Sequence, residues 1–243
     1  MDIGTIFNNI VDIMKKYWRV FLVEGVSNTL ALTAIAVLLG ALIGAVVTML
    51  KRSRFRVVRF LVTVYVEVIR GTPILLQLTI FYFVVPELLP FLDLSAFMWV
   101  AIALCINSSA YVSEVFRSGI QAVDPGQAEA ARSLGMSKSQ TMLRIILPQA
   151  IKNILPALGN EFIMILKETS LASTFYLGDL MTSYLLVKGA TYLGFECLII
   201  VGCIYFLLTY PLSKVVGYFE KRMSSDKSYK NHHKRKLSEG GKI

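Results

Sequence analysis

The residues able to do chemistry in this sequence are ionisable and amide side chains set inside long apolar runs. Glu67 and Arg70 stand three apart, a helical spacing at which opposite charges pair on one face. Asn107, Tyr111 and Glu114 recur at intervals of four and three, which places them on one face of a helix. Glu161 is followed by Lys167, Glu168, Thr169 and Ser170, a short stretch that carries both signs of charge. Such a stretch can meet a charged group of either sign. Lys167 and Glu168 could equally satisfy one another. A charge near the centre of a bilayer costs about 2.5–3.5 kcal/mol even on lenient insertion scales. Several such residues together therefore face a polar cavity or a sealed polar core, not lipid. Pro73, after Gly71 and Thr72, removes a backbone hydrogen bond and predicts a kink, with Gln77 one turn beyond it. That kink serves either architecture or the lining of a path.

The same inventory excludes several chemistries. The only histidines, His232 and His233, lie in the polar tail, so an embedded Ser-His pair is not to be expected, and the apolar segments hold no paired aspartates. No GxxxxGK[ST] phosphate loop occurs. Cys105, Cys197 and Cys203 fall in apolar segments without metal or CxxC spacing and read as packing residues.

The elements that must position these residues are membrane helices. The chain has 243 residues, 55% hydrophobic and 17% charged, outside the usual mix of a soluble domain. Leu30 to Leu50 contains no charge and reaches roughly 31 Å as a helix, enough to cross the hydrocarbon core. An all-α membrane protein is predicted, with five transmembrane segments at about 26–50, 57–85, 95–117, 142–166 and 190–213. Ahead of them, Ile3, Ile6, Phe7, Ile10, Ile13, Met14 and Tyr17 form a stripe opposite Asn8, Asn9, Asp12 and Lys16. Residues 1–18 are therefore expected to be an amphipathic helix on the membrane surface. The start lacks the pattern of a cleaved signal peptide and is expected to be retained. Gly40 and Gly44 form a GxxxG pair in the first span, able to bring helices close.

Orientation follows from Lys and Arg. The first loop carries Lys51, Arg52, Arg54, Arg56 and Arg59, Ile74 to Phe116 carries none, and the third loop carries Arg117, Arg132, Lys138 and Arg144. Loops one and three are thus inside, the N-terminus outside and the C-terminus cytoplasmic, against the weaker vote of Lys15, Lys16 and Arg19. The basic tail, 221–243, with "HHKRK", is expected to be a solvated, disordered cytoplasmic end that can attract anionic lipid. Because the net charge of +9 is largely this inside bias, no nucleic-acid partner is expected.

One charged insert interrupts the apolar pattern. Asp124-Pro125 has the chemistry of a helix start, and Gly135 can adopt the left-handed conformation that ends one, predicting a helix over about 125–135. Ser137 and Gln140 then have capping-box spacing and begin the fourth span. Such a short, partly apolar helix outside lipid either rests on another protein surface or stays solvated.

These residues carry a resemblance. Glu129-Ala130-Ala131, then Gly135, then Ile145-x-Leu147-Pro148 matches the EAA-x3-G-x9-I-x-L-P motif of the membrane subunits of binding-protein-dependent ABC importers. "RGTPILLQL" (Arg70 to Leu78), "NSSAYVSEVFRSGI" (Asn107 to Ile120) and "KETSL" (Lys167 to Leu171) resemble the branch importing polar amino acids. The similarity covers roughly residues 20–220, the transmembrane domain, with the start and the tail outside it.

The resemblance implies the type I importer permease fold and a bacterial plasma or inner membrane location. It implies a coupling helix in which Glu129, Ala130, Ala131, Leu134, Gly135 and Pro148 engage a separate ATPase. It also implies a substrate pathway near Thr72, Pro73, Gln77, Asn107, Tyr111, Glu114, Glu161, Lys167, Glu168, Thr169 and Ser170. No cofactor is expected in this chain, ATP and Mg being held by the partner. The implied partners are two ATPase subunits, an extracellular or periplasmic solute-binding protein, and a second permease subunit, identical or related. The other class weighed is an ion-coupled secondary amino acid carrier, for which intramembrane acids and broken helices are also expected.

Overall fold

A computed structural model describes residues 2–239, with side chains through residue 223. The described residues are helical, with no strand among them. The chain divides into two compact units, one of Met1–Glu114 with Glu161–Tyr210, the other of Val115–Asn160 with Pro211–Ile243.

In the first unit, α1 (Ile3–Trp18) continues through a π-helical segment, Arg19–Gly25, into α2 (Val26–Leu50). The expected separate surface helix over 1–18 is instead the first part of one 48-residue helix, Ile3–Leu50. No proline interrupts it, and Gly25 keeps right-handed dihedrals (φ −60°, ψ −50°). The second half of the apolar stripe packs on protein, Ile13 and Phe21 being buried with Leu180, Val187, Cys197 and Ile200 and Ile10, Met14 and Tyr17 against them, while Ile3 and Phe7 in its first half stay exposed. A β-carbon at Gly25 would fall 2.5 Å from Ser183 Oγ, so glycine sets the approach of this helix to α10 (Leu180–Thr191).

α2 lies along α6 (Ala96–Gln121). A β-carbon at Gly40 would sit 2.7 Å from Ser108 Oγ, and one at Gly44 would sit 2.9 Å from the Ser109 carbonyl oxygen. The GxxxG pair therefore serves contact within the chain. Thr48 Oγ1, one turn further, donates to the carbonyls of Gly44 (2.8 Å) and Ser113 (3.1 Å). Above this, Leu32, Ala36, Leu78, Val100, Leu104 and Ile165 form the main core.

The expected second span is not one kinked helix. α3 (Arg56–Gly71) and the run α4 (Ile74–Thr79), π-helical Ile80–Val84, α5 (Val85–Leu88) meet at a bend of 106°. Thr72 (φ −115°, ψ 148°) and Pro73 (φ −61°, ψ 135°) are both extended. A proline disfavours the helical region for the residue before it and gives no amide hydrogen, so helix geometry is lost at two consecutive positions.

In the second unit, α7 (Pro125–Ser133), α8 (Lys138–Thr141) and a π-helical turn, Met142–Ile146, lead into α9 (Leu147–Glu168). Val123, Ile146, Ala150 and Ile154 form its core. The π turn lies just before Pro148, whose ring displaces the carbonyl four residues back and has no N–H to offer it.

Among the described residues three helices, Ile3–Leu50, Ala96–Gln121 and Gly194–Met223, are long and apolar enough to cross a membrane, and the bent pair passes the same test jointly. The fourth expected span, 142–166, forms a helix but falls short in apolarity, since Arg144, Lys152, Asn153, Asn160 and Glu161 dilute it. α11 (Gly194–Glu239) carries its helix into the tail expected to be disordered. After Gly217 no glycine or proline stops it before Gly240, and residues 240–243 lie outside the described residues.

Candidate functional site

The charged insert folds as its sequence demands. Asp124 caps α7, its Oδ1 accepting from the Gly126 amide at 2.8 Å, and Pro125 occupies the first turn, where no amide hydrogen is needed. At the other end, Gly135 has φ +84°. Its amide donates to Arg132 O (3.0 Å), and the Met136 amide donates to Ala131 O (3.1 Å). Those two bonds are the Schellman closure, which requires a left-handed residue between them. A β-carbon at Gly135 would meet nothing within 4 Å, so backbone conformation, not space, demands glycine here. Ser137 and Gln140 close the expected capping box: Gln140 N donates to Ser137 Oγ (3.2 Å) and Ser137 N donates to Gln140 Oε1 (2.8 Å).

The helix between these stops has an inner and an outer face. Ala131 is buried, whereas Glu129, Ala130, Arg132 and Gly135 are exposed and Leu134 is 85% exposed. Pro148 is exposed as well. Leu134 is thus a large apolar side chain left facing solvent on a polar turn.

In the first unit the polar residues separate into two sets. Gln77 is buried, and its Nε2 faces the Ile69 carbonyl (2.7 Å), Thr72 Oγ1 (2.9 Å) and the Thr72 carbonyl (3.2 Å). Its Oε1 accepts from Asn107 Nδ2 at 2.9 Å. Gln77 thus reaches back across the Gly71–Pro73 break and satisfies carbonyls that the break released. Arg70 does not pair with Glu67. Its guanidinium lies 3.7 Å from Glu114 and 5.3 Å from the Tyr111 ring centre, and Glu114 also receives Lys51 Nζ at 2.6 Å. Asn107, Tyr111 and Glu114 do share one face of α6, and that face is occupied by the broken helix and the end of α2. The i,i+3 spacing of Glu67 and Arg70 could not reveal this, because the competing carboxylate is remote in sequence.

The second set is not closed. Glu161 is buried with Oε1 lacking a hydrogen-bond partner, and Glu168 Oε2 is in the same condition. Lys167 and Glu168 form no ion pair among the described residues; Lys167 is exposed. Thr169 is buried and donates to the Leu166 carbonyl (2.7 Å). Lys167 and Ser170 line a cavity of about 320 Å³ with Met181, Leu198, Gly202 and Tyr205. Tyr205 and Gly202 were not among the expected site residues, since they sit in an apolar run with no local signal. The described residues hold no cluster fit for a metal ion.

Residues 28–225 match the family described as "Binding-protein-dependent transport system inner membrane component". The chain is 40% identical over 206 residues to the arginine transport system permease protein ArtQ of Bacillus subtilis, covering 85% of this chain and 94% of that one. It is 43% identical over 203 residues to a putative glutamine transport system permease protein GlnP of Rickettsia bellii, covering 84% and 93%. A crystal structure of an amino acid ABC transporter superposes with a TM-score of 0.80 at 47% identity, over 86% of this chain and 96% of that one. An inward-facing MetNI methionine ABC transporter structure shares the fold, with a TM-score of 0.62 at 18% identity.

Proposed function

The chain belongs to the family of inner-membrane components of binding-protein-dependent transport systems, and from that premise we propose how it works as the permease subunit of an amino acid ABC importer. α7 is the coupling helix that docks on a separate ATPase, which binds ATP and Mg. The observation that carries this is the exposed Glu129, Ala130 and Leu134 face, held between a proline-started first turn and the Gly135 Schellman closure. Ala131 has the opposite task, packing the helix onto its own unit. The fixed geometry at both ends lets the helix transmit a displacement without unwinding. Membership in this family leaves no call for the ion-coupled carrier.

The permease has five spans in a bacterial plasma or inner membrane, α9 being the most polar of them, with the N-terminus outside and the C-terminus cytoplasmic. It pairs with a second permease subunit and two ATPases, and an external solute-binding protein delivers the amino acid. Along the pathway, the substrate meets the unclosed set. Lys167 faces the carboxylate, Glu161 and Glu168 face the ammonium group, and Thr169 and Ser170 lie beside them. Thr72, Pro73, Gln77, Asn107, Tyr111 and Glu114 form the wall that holds the pathway's shape: Thr72, Gln77, Asn107 and Glu114 are bonded within the chain, Pro73 makes the break and the Tyr111 ring carries Arg70. Closure of the ATPase pair by ATP would favour one arrangement of the spans over the other by its differential affinity.

The test is Gly135→Val in the reconstituted importer. A β-branched residue at φ +84° costs at least the roughly 1–2 kcal/mol of a left-handed L-residue, so the last turn of α7 must rearrange. Transport per ATP hydrolysed is expected to fall, or the ATPase to dissociate. Normal uptake together with normal ATPase recovery on affinity purification would overturn the coupling role.

A further inference from the structure

The 106° bend between α3 and the α4–α5 run has a geometric consequence for the membrane. Gln77 and Leu78 return along α6, against Asn107 and within the core holding Leu104 and Val100, so the α4–α5 run follows a helix long and apolar enough to span. If that run lies along the membrane normal, α3 lies within 106 − 90 = 16° of the membrane plane. Its depth is fixed by the Lys51–Glu114–Arg70 ion cluster, which sits at the C-terminal end of α2. α3 is therefore at the interface, not in the hydrocarbon.

Its surface suits that position. Val58, Val62, Tyr65, Val66 and Ile69 face the protein, whereas Val57, Phe60, Leu61, Val64 and Val68 form an exposed apolar face, Phe60 at 66%. The first turn and the loop before it carry Arg52, Arg54, Arg56 and Arg59, all exposed. No acidic residue occurs from Lys51 up to Glu67, and these four arginines form no ion pair among the described residues. An apolar face in plane beside an uncompensated basic cluster is the arrangement that takes acyl chains below and phosphate headgroups at its end.

We propose that α3 lies flat in the lipid interface and binds anionic phospholipid headgroups through Arg52, Arg54, Arg56 and Arg59. The inference rests on α6 crossing the membrane and on the α4–α5 run, Ile74–Leu88, about 22 Å long at 1.5 Å per residue, serving as the second span without α3. Charge complementarity selects the lipid over a second copy of the chain, since a symmetric partner would bring the same arginines together. Because Gln77 ties α3 to α4 and Arg70 ties it to Glu114 of α6, headgroup occupancy bears directly on the segment next to the pathway wall.

The test uses the purified full chain, with the subunits that accompany it, in nanodiscs of phosphatidylcholine doped with phosphatidylglycerol. Lipids retained are counted by native mass spectrometry. Wild type is expected to retain phosphatidylglycerol preferentially, and R56Q/R59Q to weaken this by about 25-fold, at roughly five-fold per arginine. R56K/R59K should keep most of the preference, and inorganic phosphate should not compete. No preference in wild type, or one unchanged in R52Q/R54Q/R56Q/R59Q, overturns the proposal. A second measurement separates this failure from that of the spanning geometry. In a Cys203→Ser background, spin labels at Phe60 and at Leu42 of α2 are read for depth. Phe60 near the headgroups with Leu42 deep supports the proposal; both deep overturns α3 alone; Leu42 at the surface overturns the span reading and the proposal with it.

Discussion

Gln77 is expected to be the most costly single polar residue to remove. Replacing it with leucine keeps the approximate volume and lets the core retain its apolar contacts, so the loss isolates hydrogen bonding. Three groups lose their partner: the carbonyls of Ile69 and Thr72 and the Nδ2 of Asn107. Each buried group left unsatisfied costs about 1–3 kcal/mol, and hydrophobic transfer of the leucine returns part of that. A net loss of about 3–5 kcal/mol follows, or a fall of roughly 10 °C or more in melting temperature for a chain of this size. The structure supplies its own assay: Cys105 and Cys197 are buried and Cys203 is exposed, so in a Cys203→Ser background thiol reactivity reports unfolding in detergent. Asn107→Ala should destabilise wild type but cost less once Gln77 is leucine, with a coupling of about 1–2 kcal/mol. A Gln77→Leu midpoint within 1 °C or so of wild type, or strictly additive losses, would refute the idea that this amide holds the break closed.

Other outcomes follow from the same geometry. Gly44→Val should cost about 1–3 kcal/mol through overpacking against Ser109 and Val112, measured by the same thiol assay, while Gly202→Ala, with open space at its β-carbon inside α11, should raise the midpoint slightly. Glu114→Gln should destabilise more than Arg70→Gln, because it strands Lys51 and Arg70 together whereas the half-exposed Arg70 is screened by solvent; equal effects would count against the ion cluster. Burial pushes the Asp179 carboxyl above the usual carboxylate range, opposed by bonds from Thr182 and from the Met181 amide at 2.9 Å. A raised folded-state pKa gives stability that is present below the unfolded value and lost as pH rises through the folded one. Wild type should therefore gain stability relative to Asp179→Asn as pH falls, and a difference independent of pH would contradict the burial argument.

What was legible in the sequence was local. Asp124-Pro125, Gly135 and Ser137…Gln140 each specify backbone geometry within one turn, and all three form as expected. The helical face of Asn107, Tyr111 and Glu114 was legible for the same reason. What the sequence hid was partner choice at long range. Arg70 finds Glu114 instead of Glu67 because α3 turns at Thr72, and the size of that turn depends on two successive extended residues that periodicity cannot weigh. The stripe in residues 3–17 was seen, but its burial against Val187, Cys197 and Ile200 requires the α10–α11 hairpin, more than 150 residues away in sequence. Gly40 and Gly44 fit either a neighbouring subunit or a neighbouring helix, and only the position of Ser108 and Ser109 decides.

A polar side chain in a membrane protein must be satisfied by its own chain, by a partner or by a ligand, because lipid offers nothing. That rule divides the candidate residues more sharply than their chemistry does. Gln77, Asn107 and Glu114 are rich in potential contacts for an amino acid, yet their polar atoms are committed to a broken helix and a basic helix end. Releasing any of them to a substrate would cost as much as it gained. Glu161 and Glu168 carry oxygens with no partner at all, and the Lys167 cation beside them opens on a cavity. On the proposed pathway, those oxygens are the groups that a substrate ammonium would satisfy. The breaks in the helices and the open acids are complementary there: the first set is the wall, and the second set is what the substrate would meet.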